Sequence, residues 1–191
     1  MSGSRSSESN RDAGGQRRNL VWRALYLVAA AGVYLTDQAS KAWAVRELRF
    51  GNTRTVIDGV FYFSYAENPG IAFEQLQGGG QFGRWMLSTL AALAAVGVVL
   101  YLFRTTRTDD RVLGACALLL AGIAGNLTDR VRLGHVIDFI EVHIGSFQWP
   151  TFNVADAVIC VGAGLLALDL FLEGKREREK GERGEAERAA S

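Results

Sequence analysis

Long apolar stretches alternate with short polar segments along the chain, and four of them, 24–45, 85–103, 112–127 and 154–172, stand out. Each approaches the roughly 20 residues that cross the hydrocarbon of a bilayer as a helix. The second is the clearest, because 85–103 holds no charged residue and runs Leu-Ala-Ala-Leu-Ala-Ala-Val-Gly-Val-Val-Leu through its middle. A soluble domain of this length rarely holds four such stretches. Between the first and second, residues 55–65 are rich in β-branched and aromatic side chains around a turn-forming Asp58-Gly59, which predicts two short strands. Gln77-Gly78-Gly79-Gly80-Gln81 then offers a hinge, since glycine permits many backbone conformations. The pattern predicts a polytopic α-helical membrane protein, with four transmembrane helices and a small extracytoplasmic β platform between helices 1 and 2.

Composition alone would mislead here. Mean hydropathy is only +0.09 because two polar ends dilute the apolar middle. Residues 1–19 are rich in Ser, Gly, Arg and Asn, and 174–191 alternates Glu with Lys and Arg. Such tails bury too little apolar surface to order themselves. The division expected is a polar cytoplasmic tail over 1–23, a membrane domain over 24–173 and a charged cytoplasmic tail over 174–191.

Orientation follows from basic residues, whose excess stays in the cytoplasm. Arg17, Arg18 and Arg23 precede the first span, Arg104, Arg107 and Arg111 flank the second connection, and Lys175, Arg176, Arg178 and Lys180 follow the fourth. Both termini are therefore expected on the cytoplasmic side of the membrane. A cleaved secretory signal competes for the first span through Ala29-Ala30-Ala31-Gly32, but the long polar leader and the three later spans favour an anchor.

Ionisable and amide side chains nevertheless sit in or beside these apolar stretches, where a carboxylate costs several kcal/mol and usually marks function. They form four clusters: Asp37 to Lys41, Glu67 to Phe73, Gly125 to Arg130, and Phe152 to Asp156. In the predicted topology all four converge on the outer side. Taken alone, several have bland explanations. Asn153 and Asp156 suit an N-cap and a first-turn acid, and Asp138 suits an ordinary loop acid. Asp37 and Lys41, spaced i and i+4, suit a structural ion pair. Asn126, Asp129 and Arg130 share a helix face, where Asp129 could fix the Arg130 guanidinium or close the helix end as an ion pair.

Together these clusters resemble lipoprotein signal peptidase, or signal peptidase II. The resemblance rests on Asp-x-x-Ser-Lys at 37–41, Glu-Asn-x-Gly-x-Ala-Phe at 67–73, Gly-Asn-x-x-Asp-Arg at 125–130, Val-x-Asp-Phe at 136–139 and Phe-Asn-x-Ala-Asp at 152–156. It covers about 24–172. It implies an aspartic endopeptidase whose catalytic pair is Asp138 and Asp156, with Asn68, Asn126, Asp129, Arg130 and Asn153 binding substrate or supporting the site. The implied substrate is a diacylglyceryl-modified bacterial prolipoprotein, cut just before its lipidated cysteine. Two carboxyls in one confined site cannot both ionise comfortably, so such a pair holds a proton and activates water without a covalent intermediate. No cofactor is needed, and the partners expected are the prolipoprotein signal peptide and membrane lipids, with no nucleic acid and a functional monomer.

Other chemistries fit less well. Ser40 and Lys41 are adjacent, so on a helix they point apart and make a poor serine–lysine pair. His135, Asp138, Glu141 and His143 lack a zinc-binding helical spacing. Cys116 and Cys160 lie in apolar helices and read as small hydrophobes. A proton-coupled transporter would use membrane carboxylates too, but no internal repeat is present and the polar groups gather on one side. A noncatalytic scaffold would leave the paired aspartates unexplained. Small residues such as Gly114, Ala117, Ala121, Gly122 and Ala124 permit close approach, either by another helix or by substrate.

Overall fold

The computed structural model describes residues 3–70, 80–105 and 109–189. Among the described residues, four helices, α1 (Gly3–Leu48), α2 (Gly80–Arg104), α3 (Asp110–Arg132) and α4 (Val154–Ala189), carry most of the chain. Four strands, β1 (Arg54–Ile57), β2 (Phe61–Asn68), β3 (Val136–Ile144) and β4 (Phe147–Phe152), form one antiparallel sheet in the order β1-β2-β3-β4. Of the proposed hinge, Gln77 to Gly79 lie outside the described residues, as do Ile71 to Phe73 of the second motif.

The central element is α3, which packs against α1, α2 and α4. Glycine sets the distance between α3 and α4. A Cβ on Gly122 would meet the Ala155 carbonyl oxygen at 2.5 Å, and one on Gly162 would meet the Ala115 carbonyl oxygen at 2.9 Å. Close backbone approach at small residues is how helices gain packing energy in lipid. Ala117 and Ala121 pack instead with Ala30 of α1. These small residues therefore serve helix contacts.

Outward faces are apolar. Leu90, Leu93, Val96, Leu100 and Phe103 on α2, and Val161, Leu168, Leu170 and Phe171 on α4, are exposed, as suits side chains meeting hydrocarbon. Among the described residues, three helical segments are long and apolar enough to cross a membrane: Gln81–Arg104, Asp110–Arg132 and Val154–Arg183. The first of the four expected spans, in α1, is not among these segments. It carries Arg23, Asp37 and Lys41, and the last two are buried against protein.

Two sequence expectations need correction. The β platform is not confined to the segment between the first two helices, because the α3–α4 connection contributes β3 and β4 as a second hairpin. Nor are the polar tails without regular structure, since α1 starts at Gly3 and α4 continues to Ala189. A formed helix propagates at one hydrogen bond per added residue, and the Glu, Lys, Arg and Ala of the second tail are good helix formers.

The sheet caps one end of the helices, where α1 and α3 finish and α2 and α4 begin. Ala44 and Leu48 of α1 form its core with Ile137 and Phe139 of β3. Trp43 meets Phe63 edge-on at 5.3 Å between ring centroids, while Arg54 lies over its ring at 5.7 Å. The predicted turn is present, with Gly59 at φ 73° between β1 and β2. Arg84 of α2 closes the end of α3, donating to the Arg130 and Val131 carbonyls at 2.8 Å each. A cation on the last carbonyls of a helix satisfies orphan acceptors and its dipole together.

Candidate active site

The described residues of the four polar clusters meet where the sheet joins the helices. Residues Val136 to Phe139 of β3 are buried without a break, so this end of the strand lacks the alternation of a half-exposed strand. Asp138 is the carboxylate within that run, at 2 % exposure. Both its oxygens are held by amides: Asn68 donates to Oδ2 at 2.9 Å and Asn153 to Oδ1 at 2.7 Å. Antiparallel pairing of β2 with β3, which sets Ala66 opposite Asp138 and Asn68 opposite Val136, brings Asn68 within reach on the diagonal. Asn68 is itself fixed, since its Oδ1 accepts from the Gly70 amide at 2.9 Å in an Asx turn, with Gly70 at φ 89°. The described bonds of Asn68 thus serve Asp138.

Asp156 stands in the first turn of α4, half-buried. Its Oδ1 accepts from Asn126 Nδ2 at 2.7 Å. Asn153, fully buried, precedes the helix and accepts from the Asp156 amide at 2.9 Å. It also donates through Nδ2 to Asn126 Oδ1 at 3.2 Å and to the Ile137 carbonyl at 3.3 Å. One asparagine therefore caps α4 and holds Asp138. Burial pushes the Asp138 carboxyl up to about 6, and the negative charge of Asp156 adds to that rise against the opposing bonds from Asn68 and Asn153.

Beneath the two aspartates lies a buried ionic group. Lys41 Nζ is 2.9 Å from both Asp37 Oδ2 and Asp129 Oδ2, and donates to Asn126 Oδ1 at 3.1 Å. Asp37 also accepts from the Ala155 amide at 2.9 Å, adding a second cap to α4 from across the helix interface. Gly125 makes room for it, because a Cβ there would lie 2.5 Å from Asp37 Oδ2. Asp129 does not pair with Arg130 in the described structure, unlike one expectation above. Consecutive helical residues point about 100° apart, and Asp129 turns toward Lys41 and the Ile137 amide. Arg130 is half-buried, its Nε has no hydrogen-bond partner among the described residues, and it interacts electrostatically with Asp156, Asp138 and Asp129.

Gln38 was not foreseen in this group. It donates to Asp37 at 3.1 Å, to Asp129 at 3.2 Å and to the Gly125 carbonyl at 3.3 Å. Its spacing of three from Lys41 was the available signal, since it places both side chains toward one neighbour. Ser40 bonds back to the Asp37 carbonyl at 2.7 Å. On the sheet, Glu141 accepts from Ser64, lies 2.6 Å from His143 Nε2 and accepts from Gln148 at 3.0 Å. The bonds from Ser64 first and then His143 lower its carboxyl from the ordinary value, against the opposing effect of burial. His135 lies 3.8 Å from Glu67.

Comparison with known proteins agrees with this geometry. The family model for signal peptidase (SPase) II matches residues 29–172. Lipoprotein signal peptidase of Syntrophus aciditrophicus is 39% identical over 157 residues, covering 82% of this chain and 96% of the relative. The lipoprotein signal peptidase of Pseudomonas fluorescens is 42% identical over 151 residues, covering 78% and 89%. A solved bacterial membrane enzyme at 26% identity superposes with a TM-score of 0.70 over 77% of this chain and 92% of its own. With the match spanning the helices, the sheet and every polar cluster, the chain belongs to the signal peptidase II family and is an aspartic peptidase.

Proposed function

We propose that this enzyme removes signal peptides from diacylglyceryl-modified bacterial prolipoproteins, cutting before the lipidated cysteine with water activated between Asp138 and Asp156. The observation that carries the proposal is the placement of these carboxyls. Each is oriented by asparagine amides at the junction of sheet and helices, and one is pushed up to about 6. A pair with one proton can take a proton from water at its ionised member while the neutral member polarises the scissile carbonyl. The roles then reverse as the leaving amine is protonated. Arg130, with an unpartnered Nε beside the pair, suits a substrate carbonyl, and Asn68 and Gly70 border the same place.

In this reading α1 is a fourth span, both termini are cytoplasmic, and the sheet lies at the outer face of the inner membrane. A signal-peptide helix then enters laterally from lipid and its acyl chains remain there, which a monomer accommodates. The test is product formation per folded enzyme on a diacylglyceryl-modified prolipoprotein. Asp138→Asn and Asp156→Asn should each lower turnover by orders of magnitude while helical content and melting persist, because asparagine keeps the shape but cannot shuttle the proton. Near-normal cleavage by either variant refutes the pair.

A further inference from the structure

We infer that Lys41 is a positioning residue for the reaction, acting through Asn126 to keep an amide donor aimed at Asp156. The inference rests on the dyad proposed above and assigns Lys41 a role beyond ion pairing. A primary amide can sit in two orientations of nearly the same shape, with oxygen and nitrogen exchanged. Asn126 uses both ends. Its Oδ1 accepts from Lys41 Nζ at 3.1 Å and from Asn153 Nδ2 at 3.2 Å, and its Nδ2 donates to Asp156 Oδ1 at 2.7 Å.

Exchange of the two ends would set donors against donors on one side and an oxygen against a carboxylate on the other. Both groups facing Oδ1 are held as donors. Asn153 is pinned by the Asp156 amide on its Oδ1 and by Asp138 and the Ile137 carbonyl on its Nδ2, and Lys41 is a charged donor with no acceptor. Its position is in turn fixed by Asp37 and Asp129, both at 2.9 Å, in a site where it is 2 % exposed. Polarity therefore runs from the ammonium through Asn126 to Asp156. The charged groups bearing on that aspartate are Lys41 through this amide, Asp138 on β3, and Arg130 on α3.

A purely structural ion pair predicts loss of folded protein when Lys41 is changed. A positioning role predicts that the remaining folded enzyme has altered chemistry. Removing Lys41 alone would strand two buried carboxylates, so the informative variant is Lys41→Met with Asp129→Asn. The buried trio carries +1 − 2 = −1 in the native protein and −1 in the double variant, which retains only Asp37. Folded double variant should lose roughly tenfold or more in kcat, as expected for a hydrogen bond to a charged group. KM for the prolipoprotein should change little, and the acidic limb of the pH–rate profile should move about one unit toward alkaline.

Lys41→Arg, which keeps an obligate donor, should retain the native pH profile whatever its yield. If that double variant does not fold, Lys41→Gln with Asp129→Asn also keeps the trio at −1, offers Asp37 a neutral donor and should show the same shift of the limb. A native pH profile and kcat in either folded double variant overturns the inference, as does a shifted profile in Lys41→Arg. Failure here with turnover still abolished by Asp138→Asn and Asp156→Asn removes the Lys41 role alone. Activity in those two aspartate variants removes the dyad instead.

Discussion

Asn153 and Asp156 cap each other across the start of α4: Asn153 Oδ1 accepts from the Asp156 amide at 2.9 Å, and Asp156 Oδ2 accepts from the Asn153 amide at 3.4 Å. This is a capping box with an asparagine and an aspartate in the usual places of serine and glutamate. The cap reading of these residues is therefore borne out, and it is compatible with the catalytic role proposed for Asp156. Helix geometry orients the carboxyl of Asp156, and that carboxyl helps to start the helix.

The two roles of Asn153 separate by substitution. Asn153→Ser keeps a cap acceptor but removes the Nδ2 donor to Asp138, Asn126 and the Ile137 carbonyl, so it should melt above Asn153→Ala while turnover falls in both. Asn153→Ala removes both and should cost about 1 kcal/mol of stability from the cap alone. Melting and turnover measured on both variants decide the matter. Equal turnover in native and Asn153→Ser enzyme would show that the amide donor to Asp138 is dispensable.

Close packing of α3 on α4 predicts unequal effects of equal substitutions. At Gly122 a methyl group would meet the Ala155 carbonyl oxygen at 2.5 Å and Ile159 at 2.6 Å, so Gly122→Ala forces the helices apart. Gly125→Ala would press on Asp37 at 2.5 Å. Each should cost about 1–3 kcal/mol, the usual penalty of overpacking. Gly164→Ala meets nothing within 4 Å and should be neutral or slightly stabilising through helix propensity. Thermal melting of the three variants in one detergent checks the ranking.

Sequence showed the ion pair of Asp37 with Lys41 and the asparagines around the two aspartates because short helical spacings and distinctive local motifs carry that information. It did not show β3 as a strand. The buried run Val136 to Phe139 has no alternation, and β4 contains Pro150, which normally argues against a strand. Pro150 is tolerated because β4 is an edge and its pairing with β3 shifts register between Ile140 and Val142. The third partner of Lys41 was hidden for a different reason. Asp129 lies on another helix, and its own sequence neighbour Arg130 was the more obvious cation.

Orientation is testable by labelling single cysteines in intact cells after Cys116 and Cys160 are replaced. A cysteine at Asn52, exposed just before β1, should react with a membrane-impermeant reagent, and one at Ser4 should not. The opposite pattern would place the sheet in the cytoplasm and reverse the proposed topology. Because Cys116 is buried among Leu102, Val112 and Leu113, alanine or valine there should be checked first for melting.

Titration of Asp138 offers the most direct reading of the carboxyl pair. Its carboxyl is raised from 3.8 to about 6, first by burial and also by the charge of Asp156. In Asp156→Asn that second contribution vanishes, so the Asp138 titration should move downward, read by carboxyl infrared bands or carbon-13 shifts. The sign for stability follows from linkage. The unfolded chain ionises near 3.8 and the folded chain near 6, so above 6 the folded state carries the whole cost of an ionised, buried Asp138. That cost is of order 3 kcal/mol at about 1.4 kcal/mol per unit. It is relieved as pH falls from 6 toward 3.8 and is gone below it. Asp138→Asn has no such cost at any pH, so native enzyme should gain melting temperature relative to this variant as pH drops through that window. Using the difference between the two proteins cancels carboxylates common to both, including Asp37 and Asp129. A constant difference across the window would mean that folding does not raise the Asp138 carboxyl, and an Asp138 titration unmoved in Asp156→Asn would mean that the two carboxyls do not share an electrostatic site.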